Sequence, residues 1–312
     1  MSTVTRKQFL QTTTLAFAAL ALGSSFNTKS KNVLLSFSSL GCPDWTLQQI
    51  VDFAVQHGYK GIEVRGLQRQ MDLTKCPEFA TETARRQTMQ LMKEKGLQFV
   101  GLGSSANMHL PEGEEREKSM AEAKRFIDLA QQLNCPYVRV FPNNFPKEVD
   151  KQTTKERIIK GLLELGNYAK NKNVMVLMET HGDVIWTEDI VAIMQKAEHP
   201  NVGLVWDVTN MWAFTKESPK EVYQKLKKYI RHIHLKDAKV DNGKLQYTFL
   251  GEGDVPIFEA IDVMAKSGYK GFYSFEWEKL WHPQLPEPEV ALAHFPAAIK
   301  KHLKGKRDVL RK

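Results

Sequence analysis

Short apolar runs alternate with helix-like segments along most of this chain, and this alternation limits the folds that it can adopt. Apolar runs of this length between helices are typical of parallel strands buried on both faces. Eight of them predict an α/β protein with a single (β/α)8 TIM barrel over residues 32–312, preceded by an N-terminal signal segment. The runs are Val33–Ser38, Gly61–Val64, Leu97–Leu102, Tyr137–Phe141, Val174–Met178, Val202–Trp206, Ile230–Leu235 and Gly271–Phe275.

An open, doubly wound sheet is the alternative architecture. Such a sheet usually carries a glycine-rich phosphate loop after its first strand. The segment that follows the first run here, Ser38–Pro43, lacks that pattern. The closed barrel is therefore the preferred prediction.

Four ionisable residues close the last four apolar runs: Glu179, Asp207, His234 and Glu276. The intervals from Glu179 to Asp207 and from Asp207 to His234 each match one βα repeat. The third interval is longer, and we expect a hairpin around Asp241–Gly243 to account for the excess. Because the carboxyl ends of barrel strands converge on one face, these side chains are predicted to share one site.

Three carboxylates and one imidazole form an oxygen-rich ligand set for one divalent metal. Such a set favours Mn²⁺ or Mg²⁺, and Co²⁺ or Zn²⁺ would also fit. Taken singly, each residue has an ordinary interpretation: a strand-end salt bridge for Glu179 or Glu276, a helix N-cap for Asp207, a core histidine for His234. Their joint position at consecutive strand ends favours the metal.

The N-terminus, residues 1–28, has the pattern of an export signal. Arg6 and Lys7 precede an uncharged stretch with an apolar core over Leu15–Leu22, which is too short for a comfortable membrane span. The segment around Arg6 resembles a twin-arginine motif with lysine in the second basic position. We therefore expect a periplasmic or otherwise exported protein without stable membrane insertion after signal removal. An amphipathic helix of the fold is the alternative interpretation.

The remaining composition says little about partners. A net charge of +8 comes from basic residues scattered over helix-like segments and gathered at the C-terminus, so no nucleic-acid partner is expected. Three cysteines occur without a C-x-x-C pair, which argues against a zinc knuckle. No arginine cluster that could bind phosphate is evident. A homo-oligomer is compatible with the sequence.

Several motifs resemble the xylose-isomerase-like barrel of sugar (phosphate) isomerases and epimerases. They are Met178–His181, Val205–Asp207, His232–Asp237, Leu250–Gly253 and Phe275–Trp277. The resemblance implies that Glu179, Asp207, His234 and Glu276 hold the metal, that His232 is an inner barrel residue, and that Glu179 and Glu276 also move the proton. Many members carry a histidine three residues after the aspartate ligand, where this chain has Asn210, and this departure argues against the related endonuclease branch.

The expected activity is that of a metal-dependent sugar isomerase or epimerase, which transfers a proton through a metal-stabilised enediolate on a ketose or keto-sugar. The alternative is a lyase or hydratase that acts on 3-keto-glycosides or keto-sugars with the same metal site. An endonuclease and a non-catalytic sugar-binding barrel are minor alternatives. Side chains expected to contact a carbohydrate substrate are His109, Asn143, His181, Asn210 and Lys236.

Overall fold

A computed structural model describes the chain over residues 33–241 and 244–309. The predicted export signal, residues 1–28, lies outside the described residues. None of the helices in the described part of the chain combines the length and the apolar character needed to cross a bilayer.

Eight parallel strands close into a barrel in the described part of the chain. The strands, including the hairpin strands β8 and β9, are β1 Leu34–Ser38, β2 Gly61–Val64, β3 Gln98–Asn107, β4 Tyr137–Phe141, β5 Met175–Glu179, β6 Val202–Asp207, β7 Ile230–Leu235, β8 Asp237–Asp241, β9 Lys244–Thr248 and β10 Phe272–Phe275. The order of the barrel strands around the ring is β1, β10, β7, β6, β5, β4, β3 and β2, with β1 pairing with both β10 and β2. This closure confirms the predicted (β/α)8 fold.

Helices follow the strands and form the outer layer of the barrel. They are α1 Leu47–His57, α2 Pro77–Ala80, α3 Glu82–Glu94, α4 Glu114–Gln132, α5 Lys151–Ala169, α6 Thr187–Lys196, α7 Val208–Thr215, α8 Pro219–Leu226, α9 Ile257–Lys266 and α10 Pro288–Val309. Short 3-10 turns lie at Ser39–Gly41 and Leu73–Lys75.

Local signals explain where α1 begins and ends. The Thr46 hydroxyl accepts the Gln49 amide N–H at 3.3 Å, and the Gln49 side chain accepts the Thr46 N–H at 2.9 Å, which forms a capping box. At the other end Gly58 adopts a left-handed conformation with φ 77°, which a residue without a Cβ atom adopts at little cost. Ile50, Val51 and other apolar residues of α1 are buried against the barrel.

The hairpin predicted between β7 and α9 is present. Strands β8 and β9 pair antiparallel, with Asp237 opposite Thr248 and Asp241 opposite Lys244. It directly follows β7 and accounts for the long interval between His234 and Glu276. The hairpin therefore extends from the carboxyl ends of the barrel strands.

Candidate metal centre and substrate cavity

The four predicted metal ligands lie together at the carboxyl ends of neighbouring strands. Glu179 ends β5, Asp207 ends β6, His234 lies near the end of β7, and Glu276 directly follows β10. Each offers a ligand atom, and these four atoms all lie within 4.8 Å of one another. All four residues are buried, with exposures of 4% or less. These residues are far apart in the sequence, but they form one compact cluster because their strands are neighbours in the barrel.

The imidazole of His234 stands at the centre of this cluster. Its Nδ1 atom lies 3.4 Å from Glu179 Oε1, 3.3 Å from Glu276 Oε1 and 3.9 Å from Asp207 Oδ2. Nδ1 is buried and has no hydrogen-bond partner among the described residues. A buried polar atom without a partner is costly. One divalent cation would satisfy this nitrogen and offset the three surrounding carboxylates, so the residues present fit a metal.

The other ring nitrogen of His234 is held from across the barrel by Glu63 on β2. His234 Nε2 lies 2.9 Å and 3.0 Å from the two Glu63 carboxylate oxygens. The same carboxylate lies 2.9 Å from His232 Nε2 and accepts a hydrogen bond from the Ser274 hydroxyl at 3.1 Å. Glu63 thus fixes the imidazole so that Nδ1 faces the carboxylates, as outer partners of metal-bound histidines commonly do.

Charge governs the protonation of this pair. Burial lowers the pKa of His234, but the carboxylates of Glu276, Glu63 and Glu179 raise it well above its ordinary value. Burial raises the pKa of Glu63, but the His234 and His232 rings hold it below its usual range. A proton on His234 therefore balances the carboxylates without a cation, and a metal would take the place of that proton.

The two carboxylate oxygens of Asp207 contact different parts of the site. Its Oδ1 accepts the backbone N–H of Asn210 at 2.8 Å and thereby caps α7, while Oδ2 faces the cluster. Burial raises the pKa of Asp207 to about 7, helped by the charges of Glu276 and Glu179 and opposed by Lys236. The helix-cap and metal interpretations of this residue are thus compatible.

Lys236 lies among the carboxylates. Its ammonium nitrogen lies 2.8 Å from Asp207 Oδ2, 2.6 Å from Glu276 Oε2 and 2.7 Å from Glu278 Oε1. These ion pairs are buried, where Coulomb attraction is screened least. Lys236 therefore holds Glu276 Oε2, the oxygen that faces away from His234, and Asp207 Oδ2, the oxygen that faces the cluster.

Arg139 on β4 holds Glu179 in the same way, and the sequence analysis did not identify it. Its Nε atom lies 3.0 Å from Glu179 Oε2, and its Nη1 group donates to the Ser104 carbonyl at 2.9 Å. The guanidinium also lies over the Phe141 ring at 3.7 Å from its centroid. Arg139 follows two residues after the start of a short, otherwise apolar strand, and that single charge was the available signal.

A cavity of about 240 Å³ opens beside this cluster. It is smaller than the roughly 300–1,000 Å³ that accommodates drug-sized ligands, so it suits a small molecule. Glu179 and Glu276 line it, whereas Asp207 and His234 do not. The lining residues are Leu40, Arg65, Arg139, Phe141, Glu179, His181, Lys236, Glu276, Glu278 and Trp281.

The structure brings two of the predicted substrate-binding residues to this cavity and leaves three away from its wall. His181 and Lys236 line it. Asn143 lies behind His181, whose Nδ1 is 2.9 Å from Asn143 Oδ1. Asn210 donates its side-chain amide to the Thr180 carbonyl at 3.3 Å. His109 has a buried Nδ1 for which the described part of the chain offers no hydrogen-bond partner.

The closed barrel and the convergent ligand set define this chain as a (β/α)8 protein with a candidate divalent-metal centre. A sequence profile of the xylose isomerase-like TIM barrel family matches residues 51–299. The chain therefore belongs to the xylose isomerase-like TIM barrel family.

Comparison with curated proteins finds relatives with dehydratase names. The chain is 30% identical over 139 residues to inosose dehydratase of Clostridium tetani, covering 39% of this chain and 46% of that protein. It is 24% identical over 223 residues to 3-dehydroshikimate dehydratase of Bacillus anthracis, covering 68% of this chain and 76% of that protein. The first similarity thus spans about half of the inosose dehydratase.

Among solved structures, D-psicose 3-epimerase of Clostridium cellulolyticum H10, bound to D-tagatose, has a similar fold. The two align with a TM-score of 0.69 at 16% identity, over 87% of this chain and 99% of the epimerase. At this identity the likeness concerns the fold.

Proposed function

We propose that this chain is a divalent-metal-dependent carbohydrate enzyme, a sugar isomerase or epimerase that moves a proton next to the carbonyl of a ketose or keto-sugar. The observation that carries the proposal is that only two of the four candidate metal ligands line the cavity. Glu179 and Glu276 reach both the candidate metal centre and the cavity, whereas Asp207 and His234 reach only the former. Two residues can thus contact substrate while two serve only as metal ligands.

The metal proposed for this centre is Mn²⁺, with Mg²⁺, Co²⁺ or Zn²⁺ as alternatives. Three carboxylates and one imidazole match the ligand preferences of these ions. A bound dication would polarise the substrate carbonyl and stabilise the negative charge that develops when the neighbouring C–H proton leaves.

The side chains supply the proton transfer in this proposal. One of the two cavity carboxylates, Glu179 or Glu276, removes the proton as a general base, and either that residue or the other returns a proton. Arg139 holds the second oxygen of Glu179, and Lys236 holds the second oxygen of Glu276. Both carboxylates are thereby fixed in position, and the pKa of Glu276 is held well below its ordinary value by His234 and Lys236 despite its burial.

A lyase or hydratase that acts on 3-keto-glycosides or keto-sugars is the second candidate. The names of the two dehydratase relatives favour it. The first step would be the same proton removal by a cavity carboxylate. The reactions diverge when an oxygen substituent on the next carbon leaves, which gives elimination in place of proton return.

We further propose that the protein is exported, on the strength of residues 1–28. Cell fractionation with an antibody against the barrel would test this location. Recovery with periplasmic or secreted proteins supports it, and recovery with cytosolic markers contradicts it.

Solvent deuterium exchange tests the proposed activity. Metal-loaded protein is incubated with a panel of ketoses and keto-glycosides in deuterated water, and deuterium next to the carbonyl is measured by mass spectrometry. We expect exchange that falls by at least about 10³-fold in Glu179→Gln and in Glu276→Gln, since a general base contributes about 10²–10⁴-fold and each residue is also a metal ligand. Glu156→Gln, an exposed change on α5, serves as the control.

The products separate the two candidate reactions. A new stereoisomer or aldose indicates an isomerase or epimerase, and a product that has lost water or an alcohol indicates a lyase. No exchange with any substrate, while metal and sugar still bind, would contradict both and favour a non-catalytic sugar-binding barrel.

A further inference from the structure

Two arginine side chains line the cavity together, and one of them has no carboxylate within ion-pair distance among the described residues. Arg65 directly follows β2 and is 6% exposed, and Arg139 on β4 is 4% exposed. Arg139 pairs with Glu179. Arg65 donates only to uncharged groups, the Gly103 carbonyl at 3.4 Å and the Ser105 hydroxyl at 3.0 Å. It forms no ion pair with any carboxylate in the described part of the chain.

A buried charge without a counter-ion is costly, because the groups that replace water must compensate it. Two neutral oxygen acceptors satisfy only part of the donor capacity of a guanidinium. Burial and the neighbouring Arg139 lower the pKa of Arg65 to about 9, against the opposing charges of Glu122, Glu179 and Glu276, so the side chain stays charged at neutral pH. The cavity wall thus holds a buried guanidinium on which carboxylates of the described residues act only from beyond ion-pair distance.

Gly103 allows the two arginines to lie side by side. A Cβ atom at this position would lie 2.6 Å from Arg65 Cδ and 3.0 Å from Arg139 Nη2. Both distances are shorter than ordinary contacts, so any larger residue would push the two side chains apart. The small residue on β3 therefore brings two like charges close together, an arrangement that an anion between or above them would stabilise.

We propose that Arg65 and Arg139 bind a carboxylate carried by the substrate, which makes the substrate class of this site an acidic keto-sugar. The inference rests on the proposed function, because it names the substrate of the same cavity. A flat guanidinium matches a carboxylate through two parallel hydrogen bonds. The cavity of about 240 Å³ also leaves less room for a sugar that carries a bulkier phosphate.

Calorimetry with three matched ligands tests this assignment. D-fructuronate, D-fructose and D-fructose 6-phosphate are titrated into the metal-loaded, full-length protein, so that only the group at the end of the sugar changes. We expect fructuronate to bind about 10–100-fold more tightly than fructose, which corresponds to one charge-assisted hydrogen-bonding interaction of about 1.5–3 kcal/mol.

Two substitutions at Arg65 separate recognition from folding. Arg65→Gln is expected to abolish the preference for fructuronate, and Arg65→Lys to retain part of it because the charge remains. Arg86→Gln is the control, since Arg86 is exposed on α3 and pairs with Glu82 at 2.5 Å. Melting curves and metal content of each variant report whether it is folded and loaded.

The assignment is overturned by equal affinity for fructuronate and fructose, by a preference that survives Arg65→Gln, by undetectable fructuronate binding, or by tighter binding of the phosphate ester. Deuterium exchange keeps this test separate from the proposed function. Exchange on fructose as fast as on fructuronate would refute the carboxylate site and leave the enzyme proposal standing. Failure of the enzyme proposal would instead show as absent exchange on every sugar.

Discussion

Glu63 is the residue whose removal most cleanly tests how the candidate metal centre is built. It contributes no ligand atom to the four-residue cluster, yet both its oxygens lie within 3.0 Å of His234 Nε2. We expect Glu63→Gln to weaken Mn²⁺ binding about 10–100-fold, the usual effect of removing an outer partner of a metal ligand. Calorimetric titration with Mn²⁺ measures this. If the Glu63→Gln variant binds Mn²⁺ as tightly as the Glu156→Gln control does, Glu63 does not orient the imidazole of His234.

At the residue scale the sequence predicted that four candidate ligands converge but did not predict their supporting partners. The candidate ligands end apolar runs, so their common location follows from the barrel. Glu63 and Arg139 lie far from those ligands in sequence and meet them only across the barrel or the neighbouring strand. A single charged residue inside a short strand does not reveal its partner, and the sequence does not show that Arg65 and Arg139 line the same cavity.

At the scale of elements, one buried carboxylate organises the loop after the hairpin. Asp237 accepts backbone N–H groups from Ala238 at 2.9 Å, Gly251 at 2.8 Å, Gly253 at 3.1 Å and Val255 at 3.3 Å. A Cβ atom at Gly253 would lie within 3 Å of the Asp237 carboxylate, so only glycine permits this approach. The G-E-G motif is thus explained by the backbone that wraps Asp237.

Replacing that carboxylate should loosen the loop. Asp237→Ala leaves four buried or partly buried N–H groups without their acceptor, so we expect the free energy of unfolding to fall by about 3–5 kcal/mol. Denaturant unfolding measures the loss, and hydrogen exchange should accelerate first at Gly251 and Gly253. A loss below about 1 kcal/mol would contradict the role of Asp237 as the anchor.

Helix α6 offers a pH-dependent test. Burial raises the pKa of Asp189, but Lys151 at 2.5 Å and Lys155 at 2.7 Å lower it below its ordinary value. A lowered folded pKa means that the ionised group stabilises the protein above the unfolded pKa of 3.8, and that this stability is lost as pH falls through the folded pKa. The stabilisation should therefore be complete at pH 7.

We expect Asp189→Asn to lower the thermal midpoint at pH 7. The midpoint should fall by about 2–4 °C for each 1 kcal/mol by which the free energy of unfolding decreases. The difference in thermal midpoint between the variant and the natural chain should become smaller as pH falls below 3.8. Differential scanning calorimetry from neutral to acidic pH follows both. A midpoint difference that stays constant with pH would show that the two lysine contacts do not depend on the charge of Asp189.

Element boundaries were harder to predict than element types. Strand β3 continues to Asn107, five residues past the predicted end at Leu102, because the small polar residues Gly103–Asn107 lack the apolar pattern used to assign strands. Helix α7 was not predicted as a separate element, since its start at Val208 depends on the Asp207 cap immediately after a buried strand. Both segments border the candidate site and are largely buried.

At the scale of the whole molecule, the barrel follows from the alternation of strands and helices, while the cavity does not. Closure requires β1 to pair with β10, and the sequence supports this through eight regular repeats. The cavity, however, is formed by side chains from loops and strands distributed around the whole ring, such as Leu40 and Trp281. Such distant packing has no local sequence signal, so the pairing of Arg65 and Arg139 had to come from the structure.

Four strand-end side chains, Glu179, Asp207, His234 and Glu276, are proposed to hold one divalent cation. Equilibrium dialysis of the metal-free chain against Mn²⁺, followed by elemental analysis, tests this claim directly. We predict one tightly bound ion per chain, lost on His234→Gln and retained on His57→Gln, which alters a histidine at the end of α1. A folded natural chain that takes up no divalent ion, or that binds it equally well after His234→Gln, would contradict the claim.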